Sequence, residues 1–166
     1  MDVNTNVHTV LTMLATNHVI AGAAIGAAVG KPFTAFTIGV ISHVAMDLIP
    51  HWGVRRDGGR PHRFEPSFLF VAVVDGITLL ALGSFLVFNA PTDLRLAIAA
   101  GAFGALLLDL DKPFELFFGK LVNHRPLWGQ RWLDLNIRFQ PEHHNRWWVE
   151  LLGAISLLFF YFNLMN

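Results

Sequence analysis

Three ionisable side chains share one stripe of an apolar segment, ISHVAMDLIPHW, at residues 41–52. His43, Asp47 and His51 follow one another at four-residue intervals. On a helix they would lie on one face, with neighbouring Cβ atoms about 5–6 Å apart. Imidazole and carboxylate are ligands of Zn²⁺, and they also suit Mn²⁺ or Fe²⁺. The spacing therefore predicts that His43 and Asp47 bind one divalent metal ion together or bridge two.

Further histidines and carboxylates occur in the other apolar segments, and we expect them to reach the same depth. Charged side chains inside a membrane are costly and usually face the bundle interior. A divalent ion would offset the charge of carboxylates that lie too close together for all to ionise. Asp75 and Asp109 are also the predicted catalytic carboxylates. The predicted metal ligands are His18, His43, Asp47, His51, Asp75, Asp109, His143 and His144. The alternative for any single pair is that His and Asp satisfy each other inside the bundle.

The predicted chemistry of such a site is hydrolysis by a metal-activated water. A bound metal ion lowers the pKa of its water and makes a hydroxide nucleophile. A carboxylate or imidazole that is not a ligand can then move protons. Arg55, Arg56 and Arg146 are predicted to hold a substrate phosphate, because guanidinium groups match phosphate geometry. The alternative is that these arginines only reflect the excess of basic residues in cytoplasmic loops. The chain has no cysteine, which excludes a Cys nucleophile.

Apolar helices are expected to position these residues. Of the 166 residues, 54% are hydrophobic and 14% are charged, and the mean hydropathy is +0.48. This composition favours one all-α integral membrane domain over residues 1–166, a five-transmembrane-helix bundle. Segments near the length of about 20 residues that crosses a bilayer lie at roughly 10–30, 33–51, 67–89, 94–111 and 147–164. The alternative is a soluble helical protein with a very apolar core.

The basic residues give the predicted bundle an orientation. Segments 52–66 and 112–146 hold ten of the twelve Lys and Arg residues, and the other side has only Lys31 and Arg95. Basic residues mark cytoplasmic loops, so we expect a multi-pass protein of the inner (cytoplasmic) membrane with a cytoplasmic N-terminus. Apolar residues at helical spacing within 128–139 predict an amphipathic interfacial helix between the fourth and fifth spans.

Small residues continue the polar stripes. His18 is followed by Gly22 and Gly26, and Asp109 is preceded by Ala105 and Gly101, at steps of four. Because small residues let membrane helices approach closely, we expect tight packing at one end and a polar cavity at the cytoplasmic end. The glycines could equally pack against a second copy, so a homo-oligomer stays open. The net charge of zero gives no attraction to nucleic acid, and the expected partners are the lipid bilayer and a phospholipid or other phosphoester substrate.

Four motifs occur in order along the chain: TNHVIAGAAIG, FTIGVISHVAMDLIPHW, VVDG and GALLLDLDKP. Together they resemble the YdjM-like family of small bacterial and archaeal membrane proteins, described as metal-dependent hydrolases. That family is distantly similar to zinc-dependent phospholipase C and related nucleases, which use an HxxxD helix in a multi-zinc site. The resemblance implies that His43 and Asp47 are metal ligands, with His18, Asp75 and Asp109 as their partners. Lys112 stands where the family pattern places a histidine.

Two other functions are compatible with the same residues. A proton or cation relay for transport or sensing would need a polar path to the outer face, where the stripes are Gly and Ala. A non-catalytic membrane scaffold would use the His–Asp pairs only to lock helix packing, and chelators would then have no effect.

Overall fold

The computed structural model describes residues 14–49, 66–110 and 147–165, and these parts of the chain are helical apart from short turns. The helices are α1 (Ala15–Val29), α2 (Pro32–Asp47), α3 (Pro66–Asn89), α4 (Arg95–Leu106) and α5 (Trp147–Met165), with a 3-10 turn at Leu107–Asp109 after α4. The all-α prediction is confirmed for these ranges. The amphipathic helix predicted within 128–139 lies outside them.

The prediction of five membrane-spanning helices is wrong. Two of the described helices are long and apolar enough to cross a bilayer: Leu69–Asn89, 21 residues with mean hydropathy 2.2, and Trp147–Met165, 19 residues with mean hydropathy 1.6. Helices α1, α2 and α4 have 15, 16 and 12 residues. At 1.5 Å per residue even α2 reaches only about 24 Å, whereas the hydrocarbon core is about 30 Å thick. Within the described residues, the segments predicted at 10–30, 33–51 and 94–111 therefore form helices too short to span.

Local signals divide α1 from α2. Gly30 ends α1 in the left-handed conformation, with φ 67°, and its N–H donates to the carbonyl of Gly26 at 2.9 Å. Glycine adopts this conformation without the steric cost that a Cβ brings. Pro32 then opens α2 at its first turn, where the missing N–H breaks no helical hydrogen bond. The division lies where the predicted segments 10–30 and 33–51 meet.

Exposed apolar side chains cover most of the two long helices. Only 6% of the α3 window and 11% of the α5 window is buried, whereas the core helix of a soluble protein would be mostly buried. Trp147 begins α5 and is 61% exposed, as expected of a residue that anchors a helix at the membrane interface. These two helices indicate association with a membrane.

Helices α1, α2 and α4 form the most closely packed unit. A Cβ atom on Gly22, Gly26 or Gly39 would overlap backbone atoms of α4, at Ala97 or Gly101. Only residues without a large side chain allow two helix backbones to come this close. The close packing predicted from the stripes of small residues is confirmed.

The helix directions bring polar ends together. Gly22 of α1 faces Gly101 and Gly26 faces Ala97, so α1 and α4 are antiparallel. On the other side of α1, Thr16 contacts Asp75 and Val19 faces Gly83, so α1 and α3 run the same way. One end of the bundle therefore gathers the start of α1 and the ends of α2 and α4.

Candidate metal centre

Four buried ionisable residues meet at this end of the three-helix unit, and we call them the His–Asp cluster: His18, His43, Asp47 and Asp109. His18 comes from the first turn of α1, His43 and Asp47 from the last turns of α2, and Asp109 from the 3-10 turn. Their exposed fractions are 0%, 1%, 1% and 4%. Burying charge at this density is costly unless the groups pair or coordinate a cation.

Asp47 links the two histidines. Its Oδ1 lies 3.3 Å from Nε2 of His18, and its Oδ2 lies 3.3 Å from Nε2 of His43. Asp109 approaches from the other side, with Oδ1 3.8 Å from Nε2 of His43. The two imidazole rings are stacked, with centroids 4.0 Å apart and planes 21° from parallel. The i,i+4 pair predicted from the sequence is thus completed by residues of two other elements.

The backbone fixes the orientation of His43. Its Nδ1 lies 2.7 Å from the carbonyl oxygen of Ala105. A carbonyl oxygen can only accept, so Nδ1 carries a proton and donates it. In neutral His43 the lone pair on Nε2 then faces the oxygens of Asp47 and Asp109. A proton or a metal ion on Nε2 removes that repulsion, and metal-ligating histidines commonly donate their other N–H to a carbonyl in this way.

His18 is the second potential nitrogen ligand. Among the described residues neither of its ring nitrogens has a hydrogen-bond partner, although the residue is fully buried. Its Nε2 approaches Asp47 without the geometry of a hydrogen bond. Buried polar atoms are nearly always satisfied, so an unsatisfied imidazole beside two carboxylates is consistent with a ligand for a cation.

The geometry is compatible with one metal ion. One ligand atom from each of His18, His43 and Asp109 can be chosen so that all lie within 4.8 Å of one another. Donors on a single ion at about 2.0–2.1 Å lie no more than about 4.2 Å apart, so small side-chain movements close the site. The C-terminal ends of α2 and α4 point toward the cluster, and their dipoles favour positive charge there, whereas the dipole at the start of α1 opposes it. This group can hold a metal ion, as the sequence predicted.

The electrostatics of the cluster separate its two histidines; both lie outside the two helices that are long enough to span. Burial lowers the pKa of His18, and the neighbouring His43 adds to this against the opposing effect of Asp47. Burial also acts to lower the pKa of His43, but its contact with Asp47 and the charge of Asp109 outweigh burial and raise it. Burial would raise the pKa of Asp47, but the imidazoles hold it well below its usual range. The lowered pKa of His18 favours the neutral imidazole that a metal ligand requires, whereas the raised pKa of His43 means that a metal ion would displace a proton from its Nε2.

Asp75 lies on α3 and contacts the start of α1. Its Oδ2 accepts from the N–H of Ala15 at 2.8 Å, and its Oδ1 accepts from the hydroxyl of Thr16 at 2.6 Å and the N–H of Thr16 at 3.2 Å. These are bonds of a helix N-cap, supplied here by a different helix. Asp75 is not in the group of described residues that can share an ion, and its predicted roles as ligand and catalytic carboxylate stay predictions.

Sequence reasoning did not identify the pair formed by Asn17 and Glu150. The Asn17 amide donates to Oε2 of Glu150 at 2.6 Å and to the Glu150 carbonyl at 3.1 Å. Both residues are buried. Each is a polar residue within an apolar segment, which is the one signal available in the sequence, but nothing in the sequence pairs positions that are 133 residues apart.

Six predicted site residues lie outside the described parts of the chain: His51, Arg55, Arg56, His143, His144 and Arg146. Their roles stay predictions. The described cluster therefore contains four of the eight predicted ligands: His18, His43, Asp47 and Asp109.

Comparison with known proteins adds no assignment. The chain matches no family model, no curated protein and no solved structure. The function must therefore be argued from the geometry of the cluster.

Proposed function

We propose that the protein is a membrane-associated, metal-dependent hydrolase whose metal is held by the His–Asp cluster. The observation that supports this most directly is the tautomer of His43. The carbonyl of Ala105 fixes a proton on Nδ1, so in the neutral imidazole Nε2 offers its lone pair where Asp47 and Asp109 supply negative charge. Zn²⁺ matches the nitrogen and carboxylate donors best, with Mn²⁺ and Fe²⁺ as alternatives.

Each residue of the cluster has a role in this proposal. His18, His43 and Asp109 would hold the ion, because one ligand atom from each lies within 4.8 Å of the other two. When bound, the ion supplies a water of lowered pKa. Asp47, whose two oxygens lie 3.3 Å from Nε2 of His18 and from Nε2 of His43, would orient both imidazoles and accept the proton that the bound water releases.

The membrane arrangement defines the substrates that could reach this site. The basic segments 52–66 and 112–146 precede α3 and α5, so we place the starts of these helices on the cytoplasmic side of the inner membrane, following the positive-inside rule. Thr16 contacts α3 and Asn17 contacts α5 close to His18, so the cluster belongs to the same side. A phosphoester at the cytoplasmic surface, from a phospholipid or another membrane-proximal molecule, is the substrate class we propose. The YdjM-like resemblance supports the same activity.

Metal analysis of the purified chain tests the proposal. After loading with Zn²⁺, Mn²⁺ or Fe²⁺ and gel filtration, we expect one ion per chain for one of these metals, as one cluster has the ligands for one ion. His43→Ala and Asp109→Asn should lose the ion. Asp47→Asn should keep it but lower the rate of phosphoester hydrolysis by about 10²–10⁴-fold, the usual contribution of a proton-transfer group.

A matched control separates this result from a general loss of charge. Asp93 is an exposed carboxylate in the turn before α4, so Asp93→Asn should change neither metal content nor rate. Circular dichroism should show unchanged helix content in every variant compared. The proposal fails if the folded wild-type chain retains none of the three metals, or if Asp93→Asn and Asp109→Asn bind the ion equally well.

A further inference from the structure

The ring of His18 is not fixed by a hydrogen bond to any of the described residues, because neither of its nitrogens has such a partner. His43 differs, since its Nδ1 is held 2.7 Å from the carbonyl oxygen of Ala105. The position of the His18 ring therefore depends on packing and on the backbone that carries it. That backbone is the start of α1, and helix ends fray unless their first N–H groups find partners.

The start of α1 is capped by another helix. Leu14, at the N-cap position, makes no side-chain hydrogen bond to α1. Asp75 of α3 takes over this role and accepts from the N–H of Ala15 at 2.8 Å and from the N–H of Thr16 at 3.2 Å. Two of the N–H groups that a helix start leaves free are thus satisfied by one of the two long helices.

Asn17 ties the same turn to the other long helix. Its amide donates to Oε2 of Glu150 at 2.6 Å and to the Glu150 carbonyl at 3.1 Å. Glu150 lies in the first turn of α5, and the two residues are only 2% and 5% exposed. Three consecutive residues before His18 are therefore held by the helices that can span a membrane.

These anchors lie on the other side of α1 from the candidate metal centre. Successive residues of a helix point about 100° apart, so Asn17 reaches α5 while Nε2 of His18 approaches Asp47 of α2 at 3.3 Å. Ligands of a metal ion must be held within about 0.5 Å of their working positions. The contact between Asn17 and Glu150 thus controls how far His18 extends toward the other ligands.

We propose that Asn17 is a positioning residue of the metal centre, which acts by holding the first turn of α1 against Glu150. This inference rests on the proposed binding of a metal ion by the His–Asp cluster. Asn17 acts through the backbone and is not a ligand. It is the anchor next to His18, so its bond, more than the cap at Ala15, sets the position of the imidazole.

The Zn²⁺ affinity of the full chain in one detergent, measured by competition with a chelator, tests this role. Asn17→Ala should raise the Kd for Zn²⁺ about tenfold, the lower end of the effect of residues that orient metal ligands. Asn17→Ser is a milder truncation and should act in the same direction, so the comparison remains if Asn17→Ala does not fold. Glu150→Gln keeps an oxygen that accepts from the Asn17 amide and should bind Zn²⁺ nearly as the wild type does.

Tyr161→Phe is the matched control for a general loss of stability. It also removes a buried 2.6 Å hydrogen bond made by α5, from the Tyr161 hydroxyl to the Leu86 carbonyl. Leu86 lies about 16 Å along α3 from Asp75, at 1.5 Å per residue. The Kd of Tyr161→Phe should equal that of the wild type, and a Kd raised equally in Tyr161→Phe and Asn17→Ala would overturn the inference.

Amide hydrogen exchange of the metal-free chain gives a second measurement. Asn17→Ala should speed exchange in the first two turns of α1, whereas Tyr161→Phe should not, because only the first variant releases the start of this helix. Unchanged exchange there, or an unchanged Kd in Asn17→Ala, would overturn the positioning role and leave the metal centre intact. A folded wild-type chain without affinity for Zn²⁺ would refute the zinc centre itself, and the positioning role with it.

Discussion

Gly101 lies where α4 crosses α1, and replacing it with alanine should weaken the whole three-helix unit. A Cβ atom at this position would overlap the carbonyl oxygen of Gly22 and lie 3.1 Å from both the Gly22 carbonyl carbon and the Gly26 nitrogen. All three are backbone atoms, so no side-chain rotation relieves the contact. Because carbon atoms normally pack at about 3.5–4.0 Å, α1 and α4 must move apart.

The expected cost follows from this separation. Overpacking of a tight interface costs about 1–3 kcal/mol. Gly76→Ala is the matched control, since a Cβ there meets no atom within 4 Å. Both substitutions lie in mid-helix and gain the same helix propensity, so the two variants should differ by the overpacking cost, about 1–3 kcal/mol in unfolding free energy. For a chain of this size that is roughly 2–12 °C in melting temperature.

Thermal unfolding in one detergent, followed by circular dichroism, measures this difference. Gly101→Ala should also reduce metal content, because Ala105 and Asp109 follow it one and two turns along the chain and both contact His43. If Gly101→Ala melts at or above the temperature of Gly76→Ala, α1 and α4 do not cross at this residue and the argument is refuted.

Three further predictions concern other contacts. Tyr161→Phe removes the buried 2.6 Å hydrogen bond from the Tyr161 hydroxyl to the Leu86 carbonyl, and the melting temperature should fall by an amount equivalent to about 1–3 kcal/mol. Asp75→Ala removes the cap on Ala15 and Thr16 and should cost about 0.5–2 kcal/mol in the same assay, with metal content largely retained. A chelator should lower the melting temperature of metal-loaded protein, because removing metal that was present at a hundredfold excess over Kd lowers the unfolding free energy by about 2.7 kcal/mol. An unchanged melting temperature would favour a scaffold.

Local patterns in the sequence were sufficient for some parts of the structure. Helices α3 and α5 are uninterrupted apolar runs, so their length and position could be predicted almost to the residue. His43 and Asp47 lie on one face of α2 because four residues make about one helical turn. The stripes of Gly and Ala indicated close packing because small side chains allow two helix backbones to approach closely.

The predicted lengths of the short helices failed at helix ends that the apolar pattern does not mark. The division at Gly30 and Pro32 agrees with the predicted segments 10–30 and 33–51. Helix α2 ends at Asp47 and α4 ends at Leu106, four and five residues before the predicted ends. Apolar residues continue past both ends, so a hydropathy window does not detect them.

The sequence by itself determined which residues are ionisable, which of them share a helical face, and that α3 and α5 are apolar enough to cross a membrane. Only the tertiary structure decided that His18 and Asp109 join His43 and Asp47, whereas Asp75 turns to the backbone of α1 and Glu150 pairs with Asn17. The physical reason is that a helical repeat relates residues within one helix. Which face of one helix meets another depends on the crossing that contacts such as Gly22 with Gly101 permit.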